Sequence, residues 1–226
     1  MKMFELRLKY NDLAQARTFY HGALKLPVLE STADLLVLQA GSTRLVFEQE
    51  NGWQGKYHFA FEIPENQIDE AAAWITGKAK LATVNGQTIF NSSTRWNANM
   101  VYFYDLAGNI LELIARHRQP NASTEPFSER NILGISEIGL TTTDVKQTVQ
   151  WLEDTLGAAV YDGAGSDTFS AVGDELGLFI VVKEGRNWYP ETGIPAGLHP
   201  VNVTLIGDEM NEYTIPDLPY HIKLIK

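Results

Sequence analysis

Cysteine is absent from all 226 residues of the chain. This absence excludes a disulfide framework, catalysis by a thiol, and metal binding by thiolates. Long apolar runs are missing as well, so no segment has the length of a membrane span. Residues 1–7 enter a strand pattern at once, without the apolar core of a signal peptide. We therefore expect no membrane partner and a cytoplasmic location.

Positive charge is also scarce. The chain has 18 lysines and arginines against 28 aspartates and glutamates, which gives a formal net charge of −10. Such a chain is a poor partner for nucleic acid or anionic lipid, because both repel it. A homodimer is compatible with the sequence. The length suits two small domains.

Hydrophobic alternation and turn residues predict two consecutive βαβββ units in residues 1–117. Asn11 or Asp12 is expected to cap the first helix, and the Asn85-Gly86 pair predicts a tight hairpin. The predicted elements are a strand at 4–10, a helix at 13–24, strands at 28–31, 35–40, 44–50 and 58–63, a helix at 67–76, and strands at 80–84, 87–90, 100–104 and 110–115.

The start of the chain recurs after a linker at residues 118–130. Glu5-Leu6-Arg7-Leu8 returns as Glu137-Ile138-Gly139-Leu140, and other positions repeat at the same offset. An internal duplication at a fixed offset predicts a second domain with the plan of the first. This domain, residues 131–226, is abbreviated, because no helical stretch separates its last two predicted strands, 199–206 and 220–225. The fold class is therefore α+β, with tandem βαβββ modules and mixed sheets.

Residues 100–116 contain an unusual carboxylate. Asp105 and Gly108 predict a turn between two apolar strands. In the second strand Glu112 lies between two isoleucines on one face, opposite a row of leucines. A buried charge needs a partner or a cation, so Glu112 is a candidate site residue, and a solvent-exposed face is the alternative.

The paired βαβββ units and the closing segment YFYDLAGNILEL resemble the vicinal oxygen chelate superfamily, which includes glyoxalase I, extradiol dioxygenases and antibiotic-resistance proteins. The resemblance covers residues 1–117 well and 131–226 partly; the proline usual in the closing motif is missing here. It implies an eight-stranded sheet cupped around one divalent metal ion, zinc, nickel, manganese or iron(II). Carried over by position, the metal ligands are Glu5, His58 and Glu112, and Glu48 is a fourth place of ambiguous register.

The resemblance implies a metal-dependent enzyme that chelates a small, oxygenated and anionic substrate. Glu5 and Glu112 are the candidate catalytic carboxylates, in a lyase or isomerase of glyoxalase type. A ring-cleaving dioxygenase is less favoured, since Glu5 stands where that group has its first histidine. The alternative is a non-catalytic protein that sequesters a small molecule. Candidate substrate-binding residues are Arg7, Lys9, Trp96 and Tyr102.

Ion pairing is a competing explanation for the carboxylates. Arg7 shares a face with Glu5 and could neutralise either Glu5 or Glu112 without a metal. In the second domain, alignment by alternation places Pro200 where His58 stands and Lys223 where Glu112 stands. We therefore expect the second domain to bind no metal.

Overall fold

The structure, a computed structural model, describes residues 1–92 and 96–226, and it describes residues 162 and 164 by their backbone only. The elements follow the predicted order in the first half of the chain. They are β1 Lys2–Tyr10, α1 Leu13–Arg17, β2 Val28–Ser31, β3 Leu35–Ala40, β4 Thr43–Gln49, β5 His58–Ile63, α2 Ile68–Ile75, β6 Lys80–Leu81, β7 Ile89–Ser92, β8 Ala98–Tyr104, β9 Ile110–Arg116, β10 Gly134–Thr142, α3 Val145–Leu156, β11 Val160–Gly165, β12 Phe169–Asp174, β13 Gly177–Lys183, β14 Val201–Ile206, β15 Asn211–Thr214 and β16 Tyr220–Ile225.

Local sequence signals explain several of these boundaries. Asp12 caps α1, because its carboxylate accepts hydrogen bonds from the backbone N–H groups of Ala14 and Gln15 at 2.9 and 3.1 Å. The predicted helix at 13–24 is α-helical only to Arg17 and continues as a π-helix over Thr18–Ala23. The short strand β15 was not predicted from the sequence.

The turn between β8 and β9 forms as the sequence predicts. Gly108 has a φ of 85°, which glycine adopts without strain, and its N–H donates to the carbonyl of Asp105 at 3.1 Å. The Asp105 carboxylate is buried and accepts hydrogen bonds from the hydroxyls of Tyr10 and Tyr20 at 3.1 and 2.8 Å. This turn fixes the register of β9 and so the position of Glu112.

The fold is α+β and is built from four repeated units in two sheets. One sheet has seven strands in the order β15-β16-β14-β1-β4-β3-β2, and we call it the outer-unit sheet. The other has nine strands, in the order β11-β12-β13-β10-β5-β9-β8-β6 with β7 paired to β8, and we call it the inner-unit sheet. The first and fourth units thus share one sheet, and the second and third units share the other.

This pairing corrects one expectation from the sequence. The two units of residues 1–117 do not form a sheet with each other; β1 pairs with β14, and β5 pairs with β10. The units are similar in length and alternation, so the first strand of each offers an edge that any other unit could pair. The hydrophobic alternation of a strand therefore does not determine which unit it pairs with. The domain boundaries at residues 117 and 131 stay a prediction of the sequence.

Most of the apolar core lies on the helix-bearing side of the sheets. A second buried cluster lies on the opposite face of the inner-unit sheet and includes Ala60, Tyr102, Ile110 and Trp188. It contains many aromatic rings, and it surrounds the polar residues described below. Among the described residues, none of the helices combines the length and the hydropathy needed to cross a bilayer.

Candidate metal centre

Three buried ionisable side chains converge on neighbouring strands of the inner-unit sheet. They are His58 on β5, Glu112 on β9 and Glu137 on β10, and one ligand atom of each lies within 4.8 Å of the other two. β5 lies between the other two strands, and its Ala60 is the register partner of both Glu112 and Glu137. His58 is two residues earlier on the same face, because side chains alternate along a strand. The sheet register therefore brings the three together.

His58 is held as a neutral imidazole. Its Nδ1 lies 3.2 Å from the carbonyl oxygen of Ile110, so Nδ1 carries the proton and donates, and Nε2 keeps its lone pair. Burial lowers the pKa of His58 to about 4, although the hydrogen bond to Ile110 opposes this shift. Nε2 is 3.7 Å from Oε2 of Glu112, yet the two do not form an ion pair at neutral pH because the imidazole is uncharged. This is the protonation state that metal binding requires.

Burial and mutual repulsion disfavour the ionised forms of the two carboxyl groups. Burial raises the pKa of Glu112 well above its ordinary value, and the charge of Glu137 raises it further. Burial also raises the pKa of Glu137 to about 7, against the lowering effect of Arg116. Two buried carboxyl groups in contact disfavour each other's ionised form. A divalent cation between them would supply the compensating charge.

Arg116 anchors one side of this cluster. Its side chain has no exposed surface. Its Nη2 donates to Glu137, and its Nη1 donates to Glu62 and, at 2.9 Å, to the hydroxyl of Ser136. Only Oε1 of Glu137 is engaged in this way, so the other oxygen remains available to a cation. Arg116 therefore fixes the position of Glu137 without blocking it.

The centre forms one end of a cavity of about 320 Å³. The walls are mostly aromatic or aliphatic, with a few polar groups, which is typical of a small-molecule site. The lining residues are His58, Asn91, Ser92, Trp96, Met100, Tyr102, Glu112, Ile114, Glu137, Phe169, Ile180, Arg186, Trp188 and Tyr189.

Of the site residues predicted from the sequence, four lie in this cavity and three do not. His58 and Glu112 belong to the cluster, and Trp96 and Tyr102 line the cavity wall. Glu5, Arg7 and Lys9 lie on β1 of the outer-unit sheet. The predicted convergence of Glu5 with His58 and Glu112 is therefore wrong, because the first and second units are in different sheets.

Ion pairs neutralise the charges on β1, as the competing explanation proposed for Glu5. Arg7 contacts Glu5 at 3.1 Å and Glu48 at 2.7 Å. Lys9 contacts Glu48 at 3.1 Å, and Arg44 lies 3.5 Å from Glu5. Contact with the two basic side chains lowers the pKa of Glu48 against the raising effect of its burial. Neither Arg7 nor Lys9 lines the cavity around His58 in the described part of the chain.

The strand register also defines the positions that correspond to the centre in the outer-unit sheet. Glu5 is the register partner of Thr204, as Glu137 is of Ala60, and Thr204 is in turn the partner of Lys223. Lys223 thus stands in the place of Glu112, as the sequence predicted. Asn202, two residues before Thr204, stands in the place of His58; the sequence alignment that put Pro200 there is wrong by two residues.

Glu137 is the site residue that sequence reasoning missed. Lys223 does not neutralise this carboxylate: Lys223 contacts Glu212 at 2.8 Å, whereas Glu137 contacts Arg116. A signal was nevertheless present, because Glu137 is the repeat of Glu5 and therefore begins a strand at the expected ligand position. The second half of the chain thus contributes to the centre.

The donor set fits a divalent metal ion. One neutral imidazole and two carboxylates are common ligands of zinc, manganese, nickel and iron(II). The Nδ1 hydrogen bond to Ile110 and the Arg116 contacts to Glu137 orient two of the three ligands, as outer partners do in metal sites. His58, Glu112 and Glu137 are therefore the residues that could hold one ion.

The lowered pKa of His58 predicts an acid sensitivity of the metal-free protein. A depressed folded-state pKa contributes stability that is present above the unfolded value of about 6.5 and is lost as the pH falls through about 4. This loss should approach about 3 kcal/mol in the free energy of unfolding. Urea denaturation between pH 7 and pH 4 should show this loss of unfolding free energy in the wild type and not in His58→Gln. Equal pH slopes for both proteins would contradict it.

Comparison with solved structures supports the fold. No protein-family model and no curated protein matches the chain. Among solved structures, a proposed dioxygenase from Bacillus subtilis is 14% identical, with 99% of this chain and 85% of that chain covered and a TM-score of 0.66. A point mutant of glyoxalase I from Zea mays is 13% identical, with 99% and 92% covered and a TM-score of 0.58. The chain therefore shares the fold of these two proteins, which is the kind of fold that its sequence resemblance implied.

Proposed function

We propose that the chain is a metal-dependent enzyme that binds a small oxygenated substrate at His58, Glu112 and Glu137. The observation that carries this proposal is the burial of these three ligand groups, within 4.8 Å of one another, at the end of a cavity. Burying two carboxyl groups and an imidazole together costs free energy that packing alone does not recover. A bound cation would offset this cost.

A divalent ion at this place would polarise a substrate carbonyl and stabilise negative charge that develops on its oxygen. The protein groups have distinct parts in such a reaction. His58 stays neutral and fixed by Ile110, and Glu137 is anchored by Arg116. Glu112 has no such arginine contact among the described residues, so its carboxylate is the group that could accept a proton from a carbon next to the carbonyl and return it to the neighbouring carbon.

The aromatic surroundings of the centre support this assignment. Trp188 is 4% exposed, and its ring centroid lies 5.1 Å from that of His58. Tyr102 lies on the other flank, with its ring centroid 6.2 Å from His58. A carboxylate in such surroundings is a stronger base than in water, because burial disfavours its charged form. The proposed reaction type is therefore proton transfer of the lyase or isomerase class.

Hydrogen exchange into a simple ketone tests this function without knowledge of the natural substrate. Hydroxyacetone in D₂O has exchangeable C–H groups next to its carbonyl, and their loss can be followed by NMR. We expect exchange catalysed by the protein loaded with zinc, nickel or manganese, and not by the metal-free protein. His58→Ala should abolish it. The matched control is His221→Ala, since His221 is exposed and lies in the outer-unit sheet.

Two results would contradict the proposal. One is exchange that does not depend on the added metal. The other is the absence of exchange in a protein that carries one ion per chain, which would favour a binding role over catalysis.

A further inference from the structure

Charge in the cavity is not balanced once a divalent ion is included. The charged side chains that line it, among the described residues, are Glu112, Glu137 and Arg186. Two ionised carboxylates and one divalent ion sum to zero, and His58 is neutral. The guanidinium of Arg186 is then the surplus charge. An uncompensated cation in a cavity with apolar walls favours an anionic ligand.

Arg186 differs in its contacts from Arg7 and Arg116. Arg7 and Arg116 each contact two carboxylates. Arg186 has no carboxylate at ion-pair distance within the described ranges; its Nη1 donates a long hydrogen bond of 3.4 Å to the carbonyl of Asn187. Its guanidinium carbon lies 5.2 Å from the ring centroid of Phe169. Partial burial lowers the pKa of Arg186, as expected for a cation that lacks a counter-ion.

Arg186 differs in burial from the three candidate metal ligands. His58, Glu112 and Glu137 are buried, and we call their side of the cavity the inner end, whereas Arg186 is only half-buried and Tyr189, nearby in the chain, is 50% exposed. An anion held by Arg186 would therefore lie towards the opening. The rest of the same molecule could then reach the inner end.

Aromatic side chains line the cavity between these two ends. The rings of Trp188 and Tyr102 face the inner end beside His58, and Tyr189 lies 5.5 Å from Tyr102 towards the opening. Aromatic walls favour planar ligands, because rings stack or meet edge to face. The indole N–H of Trp188 is also buried without a hydrogen-bond acceptor in the described structure. A ligand oxygen could satisfy it.

We propose that Arg186 is the anion-binding residue of the site, and that the substrate is a planar molecule whose anionic group binds Arg186 while its other end reaches the His58, Glu112 and Glu137 centre. The inference rests on the metal-dependent function proposed above. It assigns the anion contact to Arg186 and not to Arg7 or Lys9. A cavity of about 320 Å³ limits such a substrate to a small molecule.

A pair of probes that differ only in charge tests this inference. 3,4-Dihydroxybenzoate and 3,4-dihydroxybenzamide have the same ring and the same adjacent oxygens, but only the first has an anionic group. Their affinities for the zinc-loaded protein can be measured by calorimetry. We expect the benzoate to bind about tenfold more tightly than the benzamide, the difference expected for one charge-assisted contact.

Arg186→Gln should reduce this affinity ratio to about one and leave benzamide affinity unchanged. Arg130→Gln is the matched control, since the Arg130 side chain is 91% exposed, and it should keep the wild-type ratio. The inference is overturned by a ratio near one in the wild type, by an unchanged ratio in Arg186→Gln, or by a zinc-loaded protein that binds neither probe. Zinc-dependent benzamide binding with a ratio near one would overturn only the role of Arg186 and keep the metal-dependent function. A protein that binds no zinc would overturn both.

Discussion

Glu137→Gln is expected to weaken the binding of a divalent metal ion by at least about 100-fold, while Glu5→Gln leaves it unchanged. The expectation follows from the geometry, because Glu137 lies with His58 and Glu112 and Glu5 lies in the other sheet. Loss of an outer partner alone costs 10- to 100-fold in metal affinity, and loss of a ligand should cost no less. Competition with a metal-binding dye measures the affinity.

The two substitutions are a matched pair, since the internal repeat places Glu5 and Glu137 at equivalent positions. They change the same atoms at the start of equivalent strands, and Glu5 is 16% exposed at its side chain beside Arg7. Circular dichroism should show both variants folded, which separates loss of a ligand from loss of the fold. Metal binding that depends on Glu5 and not on Glu137 would contradict the assignment of the centre.

Arg116→Leu is expected to lower the free energy of unfolding by about 3–5 kcal/mol, the usual effect of removing one partner of a buried ion pair. Arg116 is fully buried and contacts the carboxylates of both Glu62 and Glu137. Without it these two carboxylates would lie buried and uncompensated. Urea denaturation measures the loss. Arg130→Leu is the control, since an exposed arginine should change stability by less than about 0.5 kcal/mol.

The pH dependence of this loss distinguishes electrostatics from packing. Burial already raises the pKa of Glu137 to about 7 and raises that of Glu62, and the loss of the guanidinium would raise both further. A carboxyl group with a raised folded-state pKa contributes stability below its unfolded value, and this stability is lost as the pH rises through the folded value. The destabilisation should therefore be larger at pH 8 than at pH 5. An equal loss at both values would assign the effect of Arg116 to packing.

Local features of the chain could be predicted from its sequence because they depend on neighbours. The turn at Asp105 and Gly108 and the cap at Asp12 both follow from side-chain chemistry within a few residues. The unusual position of Glu112 between two isoleucines correctly indicated a buried carboxylate with special surroundings. Strand β15 in the abbreviated last unit could not be predicted, because its four polar or half-buried residues show little hydrophobic alternation.

Site assembly could not be predicted in the same way, because it depends on which units pair. His58 and Glu112 share a unit, and their proximity follows from parallel pairing of β5 with β9. The third ligand comes from whichever unit pairs with β5 at its other edge. The sequence offered Glu5 and Glu137 as equivalent candidates, and only the pairing of β5 with β10 selects Glu137.

The tertiary structure also decides which side chains pack on the carboxylate-bearing face of each sheet. In the inner-unit sheet Trp188 packs over His58 and against Gly139, where an added Cβ would lie 2.4 Å from the indole ring. At the equivalent outer position Arg7 replaces Gly139, and the face stays partly exposed with its charges paired to one another. Burial therefore disfavours the ionised form of the inner-unit carboxyl groups, whereas ion pairs neutralise those of the outer-unit sheet.

By itself, the sequence determined the four repeated units, their turns and caps, and the presence of carboxylates at ligand positions, because these depend on alternation and short-range chemistry. The tertiary structure alone decided that the second and third units share a sheet, that Glu137 joins His58 and Glu112, and that Arg186 and Trp188 line the cavity. Pairing between similar strand edges is a long-range choice. No local pattern in the chain distinguishes one edge from the other.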